Sequence, residues 1–535
     1  MSHDWSELSG DRVSRRTLLR YSLGGAAALT LAACGSSGSP AESAGAGSQQ
    51  ARRGGSIKAA WNIDRFLTLD PQRTTGFDQL ALLVNIVEGL TRLTPELDVE
   101  GALAESWKVS EDGKTYTFKL RKNVVWHNGD EFDAQDIIFT HQRATDPELG
   151  SANANLPPME VTAPDDHTIV MKLEQPSGLL LTQLTAMPGA IMGAVNKRAL
   201  TEMGADKYGL TPVGTGPFKV TEHVPGDHLT LTRHDKYWEA GFPLLDEVVI
   251  DLVPEPTTVQ SALLSGDVQF AHILRPQSYE ALRRSPNLVV VSEPGVGWSG
   301  MWMNYKSTAA PYLADPRVRL AFAKAIDRKT LIQKALFGQG DPGYGPYSLA
   351  VKWAYDPKVP TSQDYDLAGA QKLMSDANVS NVSLDFMTTP GFERTDQVLA
   401  DMLGKIGVQV RLTSVEKSVY SARGYRDSNY SILHSGSASD PDPDDSVYKY
   451  FTTDGATNTF GYSNPKVDDL IAKERVTPGR AERAKILWEI QNLLISDVAA
   501  VFTYHSRDLL GMSAQLKGYQ KVPELRSLRT VWLDK

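Results

Sequence analysis

The sequence predicts a mixed α/β fold from three features. Segments with apolar residues at helical spacing alternate with short segments in which apolar and polar residues take turns. Glycine, proline, asparagine and aspartate stand between these segments, where turns are expected. The chain has 535 residues, of which 41% are hydrophobic and 22% charged, so it can bury the cores of two or three globular units. We find no repeat of fixed period.

The first part of the chain predicts a strand, a helix and a hairpin. Gly54–Trp61 alternates in the manner of a strand, and Gln79–Leu90 carries apolar residues at i, i+3, i+4 and i+7, the pattern of a helix with one buried face. Apolar alternation before and after Asp112 and Gly113 indicates a hairpin with its turn at this pair. Asp133 is placed to cap the N-terminus of the helix that follows it.

The rest of the chain repeats the same alternation. A second hairpin is predicted around Pro225–Asp227, again between alternating segments. Asp315 and Pro316 predict the start of one long helix that runs through Leu336 and ends at Gly338. Near the C-terminus, the apolar segment Ala499–Tyr504 is predicted to be a strand.

The N-terminus has the pattern of an export signal. Arg15 and Arg16 precede an apolar stretch, Tyr21–Ala33, which is shorter than the roughly 20 residues needed to cross a bilayer. The arginine pair resembles the twin-arginine signal of proteins exported in a folded state. A general secretory signal that contains an arginine pair by chance is the alternative. Residues 1–33 are thus predicted to be a cleaved signal peptide.

Cys34 is the only cysteine and follows Leu31-Ala32-Ala33. This sequence resembles the bacterial lipobox, in which the cysteine is diacylated and becomes the first residue of the mature protein. One cysteine cannot form an internal disulfide. Residues 34–53 are rich in glycine, serine and alanine, so we predict a flexible tether between a lipid anchor and the folded part.

Charge and motifs weigh against several function classes. The net charge of −9 is spread along the chain without a basic block, which makes nucleic acid an unlikely partner. Gly-x-Ser-x-Gly, His-Glu-x-x-His and the P-loop motif are absent from the sequence. Gly295–Gly300 matches Gly-x-Gly-x-x-Gly, but the residues after it have the pattern of a strand, whereas a dinucleotide site needs a helix there. We predict no cofactor.

Two further groups of residues invite a metal hypothesis. His223, His228 and His234 are spaced so that they would face different sides of a strand or turn, and we predict no metal there. The acidic segment Asp440–Asp445 resembles the start of a calcium loop but lacks its glycine and its terminal glutamate. It is either a solvated turn or an anchor for a cationic group of a ligand.

Several segments, in this order and spacing, resemble the peptide- and nickel-binding family of ABC-importer solute receptors. They are Gly54-Gly55-Ser56, Leu69-Asp70-Pro71, Val87-Glu88-Gly89-Leu90, Leu103–Trp107, Asp112–Arg121, Gly129-Asp130, Asp133–Asp136, Gly214–Phe218, Tyr237-Trp238, Asp315–Arg319, Ala325–Arg328 and Asp440–Pro443.

The resemblance implies two α/β lobes joined by a hinge, a periplasmic-binding-protein-like fold that closes around its ligand. Lobe one would comprise residues 54–290, with a subdomain inserted at about 77–206, and would be completed by residues 504–535. Lobe two would comprise residues 291–503. The implied function is delivery of a peptide or peptide-like solute to an ABC permease by a monomer at the outer face of the cell membrane. A metal chelate or a sugar is the alternative solute, and a secreted hydrolase or a surface adhesin the alternative function.

The resemblance also implies ligand-binding residues. Asp440 would anchor a positively charged group of the ligand, with Asp442 as the alternative. This region often carries an aromatic residue in the family, and here His434 and its neighbours hold no tryptophan. His434 is itself a candidate for ligand binding, and so are Trp298 and Trp302, for which core packing is the alternative role. The remaining candidates, Asn62, Asp64 and Tyr504, resemble cleft and hinge positions.

Overall fold

The computed structural model describes residues 51–63, 65–74, 77–149, 156–186, 192–272, 274–437, 441–523 and 525–534. The chain divides into two units, residues 1–50 and residues 51–535. Arg15, Arg16, Cys34, Asp64 and Asp440 lie outside the described residues. Within the described ranges, no helix has the length and apolar character needed to cross a bilayer.

Strands and helices alternate along this unit. The strands are β1 (Ser56–Trp61), β2 (Thr91–Leu93), β3 (Val99–Gly101), β4 (Ala104–Val109), β5 (Thr115–Leu120), β6 (Met159–Asp165), β7 (Thr168–Leu173), β8 (Phe218–Val224), β9 (His228–Arg233), β10 (Glu247–Leu252), β11 (Phe270–His272), β12 (Leu288–Pro294), β13 (Trp298–Met303), β14 (Gly340–Pro342), β15 (Val382–Thr388), β16 (Val408–Ser414), β17 (Ile432–Ser437), β18 (Val501–Ser513), β19 (Leu516–Lys517) and β20 (Trp532–Leu533). The helices are α1 (Phe77–Leu83), α2 (Ala134–Ala144), α3 (Leu180–Gln183), α4 (Lys197–Met203), α5 (Ala205–Leu210), α6 (Pro256–Ser265), α7 (Tyr279–Leu282), α8 (Pro316–Ala325), α9 (Arg328–Ala335), α10 (Leu367–Asp376), α11 (Glu393–Gly404), α12 (Lys417–Ser421), α13 (Tyr448–Phe451), α14 (Pro465–Arg475) and α15 (Arg480–Ser496). The predicted mixed α/β composition is confirmed.

A twelve-stranded sheet, the large sheet, runs through the unit. Ten strands follow the order β16-β15-β17-β13-β18-β11-β1-β10-β9-β8, and β12 and β14 pair with β18 beside this path. We call β1 and β8–β12 the first half of the sheet and β13–β17 the second half. Strand β18 pairs with strands of both: its residues from Arg507 onward face β12, and Tyr504 and the residues before it face β13.

A smaller antiparallel sheet in the order β4-β5-β7-β6 lies between β1 and β8 in the sequence. We call strands β2–β7 with helices α2–α5 the small-sheet region. Its core contains Phe118, Trp126 and Ile137, each fully buried. The predicted β4–β5 hairpin is confirmed, with Gly113 at φ +69° in the turn, a conformation that residues with a side chain rarely adopt.

Two predicted helices differ from the structure. The helix expected over Gln79–Leu90 ends at Leu83, because the side chain of Asn85 bonds the carbonyl oxygens of Leu82 and Arg526 and accepts from the amide of Leu528. The long helix expected from Asp315 is two helices, α8 and α9. The side chain of Asp327 accepts from the amide of Thr330 and caps the start of α9. A pattern of apolar residues with a 3.6-residue period cannot distinguish two successive helices from one continuous helix.

Candidate ligand-binding cleft

The start of helix α15 lies against the small-sheet region. Arg483 donates from Nη1 to the carbonyl oxygen of Gly178 at 2.9 Å. Arg480 bonds the carboxylate of Asp98 and the carbonyl oxygen of Leu97. The amide of Gly178 donates to the carbonyl oxygen of Arg475 at 2.8 Å. These bonds join helices α14 and α15, which precede β18 in the sequence, to the small-sheet region. We call this contact the interface and assign both helices to the second half.

A cavity of about 140 Å³ lies at this interface and is lined from both sides. Leu93, Leu97 and Leu181 form its apolar wall in the small-sheet region. Trp353 and Asp442 lie opposite, on the side of the second half. Among the described residues, the buried indole Nε1 of Trp353 has no hydrogen-bond partner. The cavity therefore combines an apolar wall with an aromatic side chain and a carboxylate.

A larger cavity of about 360 Å³ lies next to it in the small-sheet region, and Leu93 lines both. Arg92 and Glu100 of the β2–β3 pair line it from one side, and Arg529 of the C-terminal segment from another. Its volume falls within the range of small-molecule pockets, roughly 300–1,000 Å³. We refer to the two cavities together as the cleft; they are lined by the small-sheet region, the C-terminal segment and the second half.

Trp298 and Trp302, both sequence-based candidates, lie in an aromatic core behind the cleft. They are 2% and 0% exposed. Their rings contact Tyr450 at centroid distances of 5.7 and 5.6 Å, and Trp298 donates to the carbonyl oxygen of Ser446 at 3.3 Å. Among the described residues, the Nε1 atom of Trp302 has no partner. The same core includes Leu93 and Leu97 of the small-sheet region, so it crosses the interface.

His434 lies in a chain of hydrogen bonds inside the second half. Its Nε2 is 2.6 Å from Oγ of Ser299, and its Nδ1 is 2.5 Å from a carboxylate oxygen of Asp396. Thr388 donates to the other oxygen of Asp396 at 2.5 Å. Although serine, histidine and aspartate are the members of a hydrolase triad, these three are buried, and they line neither cavity. This chain of hydrogen bonds holds β13, β17 and α11 together.

Two candidates occupy structural positions elsewhere. The side chain of Asn62 donates to the carbonyl oxygens of Val253 and Pro254 at 2.9 and 2.7 Å, which fixes the loop after β10. Tyr504 is 4% exposed and pairs with Ser299 where β18 passes from one half of the sheet to the other. Burial raises the pKa of Tyr504 to about 12.

Of the acidic segment, Asp442 lines the smaller cavity and pairs with Arg483 through both oxygens, at 2.7 and 3.1 Å. Its Oδ1 also accepts from the amide of Asp444 at 3.0 Å. The hydrogen bonds of the Asp442 carboxylate therefore stabilise the protein's own structure.

A buried charge cluster surrounds this pair. Arg483 also bonds Glu474, and Arg475 bonds Asp444 at 2.6 Å, so three carboxylates share two arginines. Burial, together with the neighbouring charge of Asp444, raises the pKa of Glu474 to about 8. Burial raises the pKa of Asp444 to about 6, against the opposing effect of Arg475.

Sequence reasoning missed Arg480, Arg483 and Glu474. In the sequence these residues lie at positions typical of solvent-exposed charges on the polar face of a helix. Their partners Asp98 and Gly178 are more than 300 residues away. Asp442 is 41 residues from Arg483 in the sequence, so no local pattern indicates their pairing. Within the described ranges, no group of three or more His, Cys, Asp or Glu side chains is arranged to hold a metal ion.

Comparison with known proteins adds to this geometry. Residues 98–458 match the family of bacterial extracellular solute-binding proteins, family 5. Among curated proteins, the glutathione-binding protein GsiB of Pectobacterium atrosepticum is 28% identical over 479 residues, which is 86% of this chain and 90% of the relative. GsiB of Escherichia coli K12 is 28% identical over 470 residues, 83% of this chain and 90% of the relative.

Solved structures share the fold. The periplasmic binding protein DppA of Helicobacter pylori, in complex with the peptide STSA, has a TM-score of 0.77 at 26% identity and covers 90% of this chain and 99% of its own. The oligopeptide-binding protein AppA of Bacillus subtilis, in complex with a nonapeptide, has a TM-score of 0.75 at 22% identity over 91% of this chain and 100% of its own. The fold is therefore the two-lobed α/β fold of periplasmic binding proteins. The chain belongs to the bacterial extracellular solute-binding proteins, family 5.

Proposed function

We propose that this protein is an extracytoplasmic receptor that captures a peptide or peptide-like solute between its two lobes and delivers it to an ABC importer. The observation that carries the proposal is the cavity lined from both sides of the interface, by Leu93 and Leu181 on one side and by Trp353 and Asp442 on the other. A relative named for glutathione binding, and a similar structure at 26% identity in complex with a peptide, support a peptide-like ligand.

In this proposal the halves of the large sheet belong to the two lobes. Lobe one comprises residues 54–290 and 504–535, with the inserted subdomain at about 77–206, and lobe two comprises residues 291–503. The crossings lie at β12–β13 and within β18, which agrees with the change of pairing partner between Tyr504 and Arg507. A ligand shifts such a receptor toward closure only if it binds the closed state more tightly.

We propose ligand contacts from both lobes. Asp440 follows β17 closely and is proposed to meet a positively charged group of the ligand. Asn62 and Asp64 are proposed contacts from lobe one. Trp298, Trp302, His434 and Tyr504 are buried in this structure, and we propose them as ligand-binding residues only after a rearrangement that exposes them.

The position in the cell is part of the same proposal. The receptor is a monomer, held at the outer face of the membrane by a lipid on Cys34 after export through the signal that contains Arg15 and Arg16, and its partner is the membrane permease. It acts by binding and not as an enzyme. Burial of Ser299 and His434 away from both cavities agrees with this.

Peptide binding and closure test the proposal. A pool of di- and tripeptides would be offered to the full chain and the retained molecules identified by mass spectrometry. A retained peptide at a hundredfold excess over its Kd should stabilise the fold by about 2.7 kcal/mol, and small-angle scattering should show a smaller radius of gyration. A peptide recovered in cleaved form would indicate a hydrolase. No retained peptide and no stabilisation would contradict the proposal.

A further inference from the structure

The larger cavity contains two arginines that share one carboxylate. Nη1 of Arg92 donates to Oε2 of Glu239 at 2.9 Å, and Nη1 of Arg529 donates to Oε1 of the same group. Arg92 also pairs with Glu100 through its Nε atom at 2.6 Å. Glu239 therefore holds the two guanidinium groups side by side, one from the β2–β3 pair and one from the C-terminal segment.

Both guanidinium groups keep donors available. Among the described residues, Nε and Nη2 of Arg529 and Nη2 of Arg92 have no hydrogen-bond partner. The side chains of Arg529 and Arg92 are 18% and 28% exposed, and both line the cavity. A planar guanidinium edge of this kind matches a carboxylate, which can accept two parallel hydrogen bonds.

The negative charges nearby are already engaged. Burial raises the pKa of Glu239, but the hydrogen bond and charge of Arg92 and the charge of Arg529 outweigh this effect and lower the pKa below its ordinary value. Glu88 accepts from Tyr237 at 2.8 Å and from Trp238 at 3.0 Å, and burial raises its pKa. The two arginines are thus the groups in the wall with unused capacity for a charged partner.

The rest of the wall is suited to an aliphatic chain. Val84, Val87, Leu93, Ala102 and Leu525 line the cavity with apolar side chains. Leu93 also lines the smaller cavity, where Trp353 and Arg480 lie on the opposite side of the interface. A ligand with its charged end at Arg529 would therefore have its apolar body against Leu93, on the side of the smaller cavity.

We propose that the larger cavity is a carboxylate subsite, in which Arg529 and Arg92 bind the carboxylate end of a ligand with an aliphatic body. The inference rests on the proposed function and deepens it, because it fixes the direction of a bound peptide-like solute. Its carboxylate lies in the small-sheet region and its other end points to the acidic segment of the second half. Arg529 and Arg92 then determine specificity for free acids over amides.

The test compares N-acetyl-leucine with N-acetyl-leucinamide, two small probes that differ in the carboxylate alone. Saturation-transfer NMR on the full chain is expected to show binding of the acid at millimolar concentration, with at least about tenfold preference over the amide, because the amide loses the charge-assisted bonds. Equal affinity for both probes, or binding of neither up to about 20 mM, would overturn the proposal.

Variants assign the preference to the arginines. Arg529→Gln, which can still donate to Glu239, is expected to weaken the acid about tenfold and to leave the amide within about twofold. Arg284→Gln is the matched control, since Arg284 is 76% exposed and lies elsewhere on the surface. If Arg529→Gln fails to fold, Ser527→Leu decides, because Ser527 lines the cavity and a larger side chain there should weaken the acid.

The outcome separates this inference from the proposed function. If peptides still bind and close the lobes while Arg529→Gln leaves the acid preference unchanged and Ser527→Leu leaves the affinity for the acid unchanged, the receptor function stands and the subsite is refuted. If peptides do not bind at all, the proposed function fails first.

Discussion

Arg483 and Gly178 meet across the interface: Nη1 of the arginine lies 2.9 Å from the carbonyl oxygen of the glycine. The same guanidinium group is bound by Asp442 and Glu474 within the second half. A guanidinium group held by two carboxyl groups on one side and a carbonyl oxygen on the other joins the two sides of the interface. Replacing Arg483 would remove the arginine from both Asp442 and Glu474 in the buried cluster, so the neighbouring Arg480 is the better probe.

Replacing Arg480 with Ala is expected to loosen the contact between helix α15 and the small-sheet region. The change removes the bonds to Asp98 and Leu97, and a partly exposed pair of this kind contributes roughly 0.2–1 kcal/mol. Small-angle scattering of the ligand-free chain should show a larger radius of gyration than in the wild type. Lys485→Ala is the control, because the partner of Lys485 among the described residues is Glu482 of the same helix. Identical scattering from both variants would refute a role for Arg480 in closure.

The pKa of Glu474 gives a pH prediction. Its pKa in the folded chain, about 8, is above the ordinary value of 4.5, so folding favours the protonated form. This contribution to stability is complete below pH 4.5 and is lost as the pH rises toward 8. Glu474→Gln keeps a neutral group beside Arg483 at all pH values.

The variant should therefore melt at a higher temperature than the wild type at pH 8.5, with a smaller difference at pH 5. Asp444, whose pKa is about 6, changes charge in the same window, so Asp444→Asn should be measured beside it. A gain that is equal at both pH values would contradict the assignment to Glu474.

Asp440 and Asp442 are expected to differ in the property they control. Asp442→Asn weakens the two bonds to Arg483 and should cost about 2 kcal/mol of unfolding free energy, measured by urea denaturation. Asp440→Asn should leave stability unchanged and weaken the binding of a peptide with a free amino terminus. Asp454→Asn, at an exposed position, is the control. Unchanged affinity in Asp440→Asn would exclude Asp440 as the anchor.

Cys34→Ala is expected to abolish membrane retention. Stable attachment needs more than one acyl chain, and a diacylated cysteine supplies two. Cell fractionation should find the variant in the soluble fraction or as an unprocessed precursor, and Ser36→Ala serves as the control in the same segment. A processed Cys34→Ala protein that remains on the membrane would refute the anchor.

Local features of the fold were predictable, and long-range ones were not. The turn at Gly113 and the cap at Asp133 depend on neighbours a few residues away, so the sequence pattern indicates them directly. The early end of α1 depends on a bond from Asn85 to Arg526, 441 residues later. No periodicity encodes such a contact.

The same reason limits the prediction of the cleft. Asp442 was found because two prolines and several acids mark its segment. Arg483, its partner, lies in a helix of ordinary composition. Trp298 and Trp302 stood out as large aromatic residues, yet their burial depends on packing against β18 and the helices of the second half. Residue type could indicate these positions but could not place them in the core.

Strand β18 has a consequence for protein engineering. It is a member of both halves of the large sheet, with Tyr504 paired to one half and Arg507 to the other. Neither half can be produced as an independent module, because each would lose part of β18, the strand with which its own strands pair. In a chimera with one lobe from a relative, β18 pairs with strands from two different parent proteins. We therefore expect folding defects of such chimeras to arise at Tyr504, Arg507 and the residues between them.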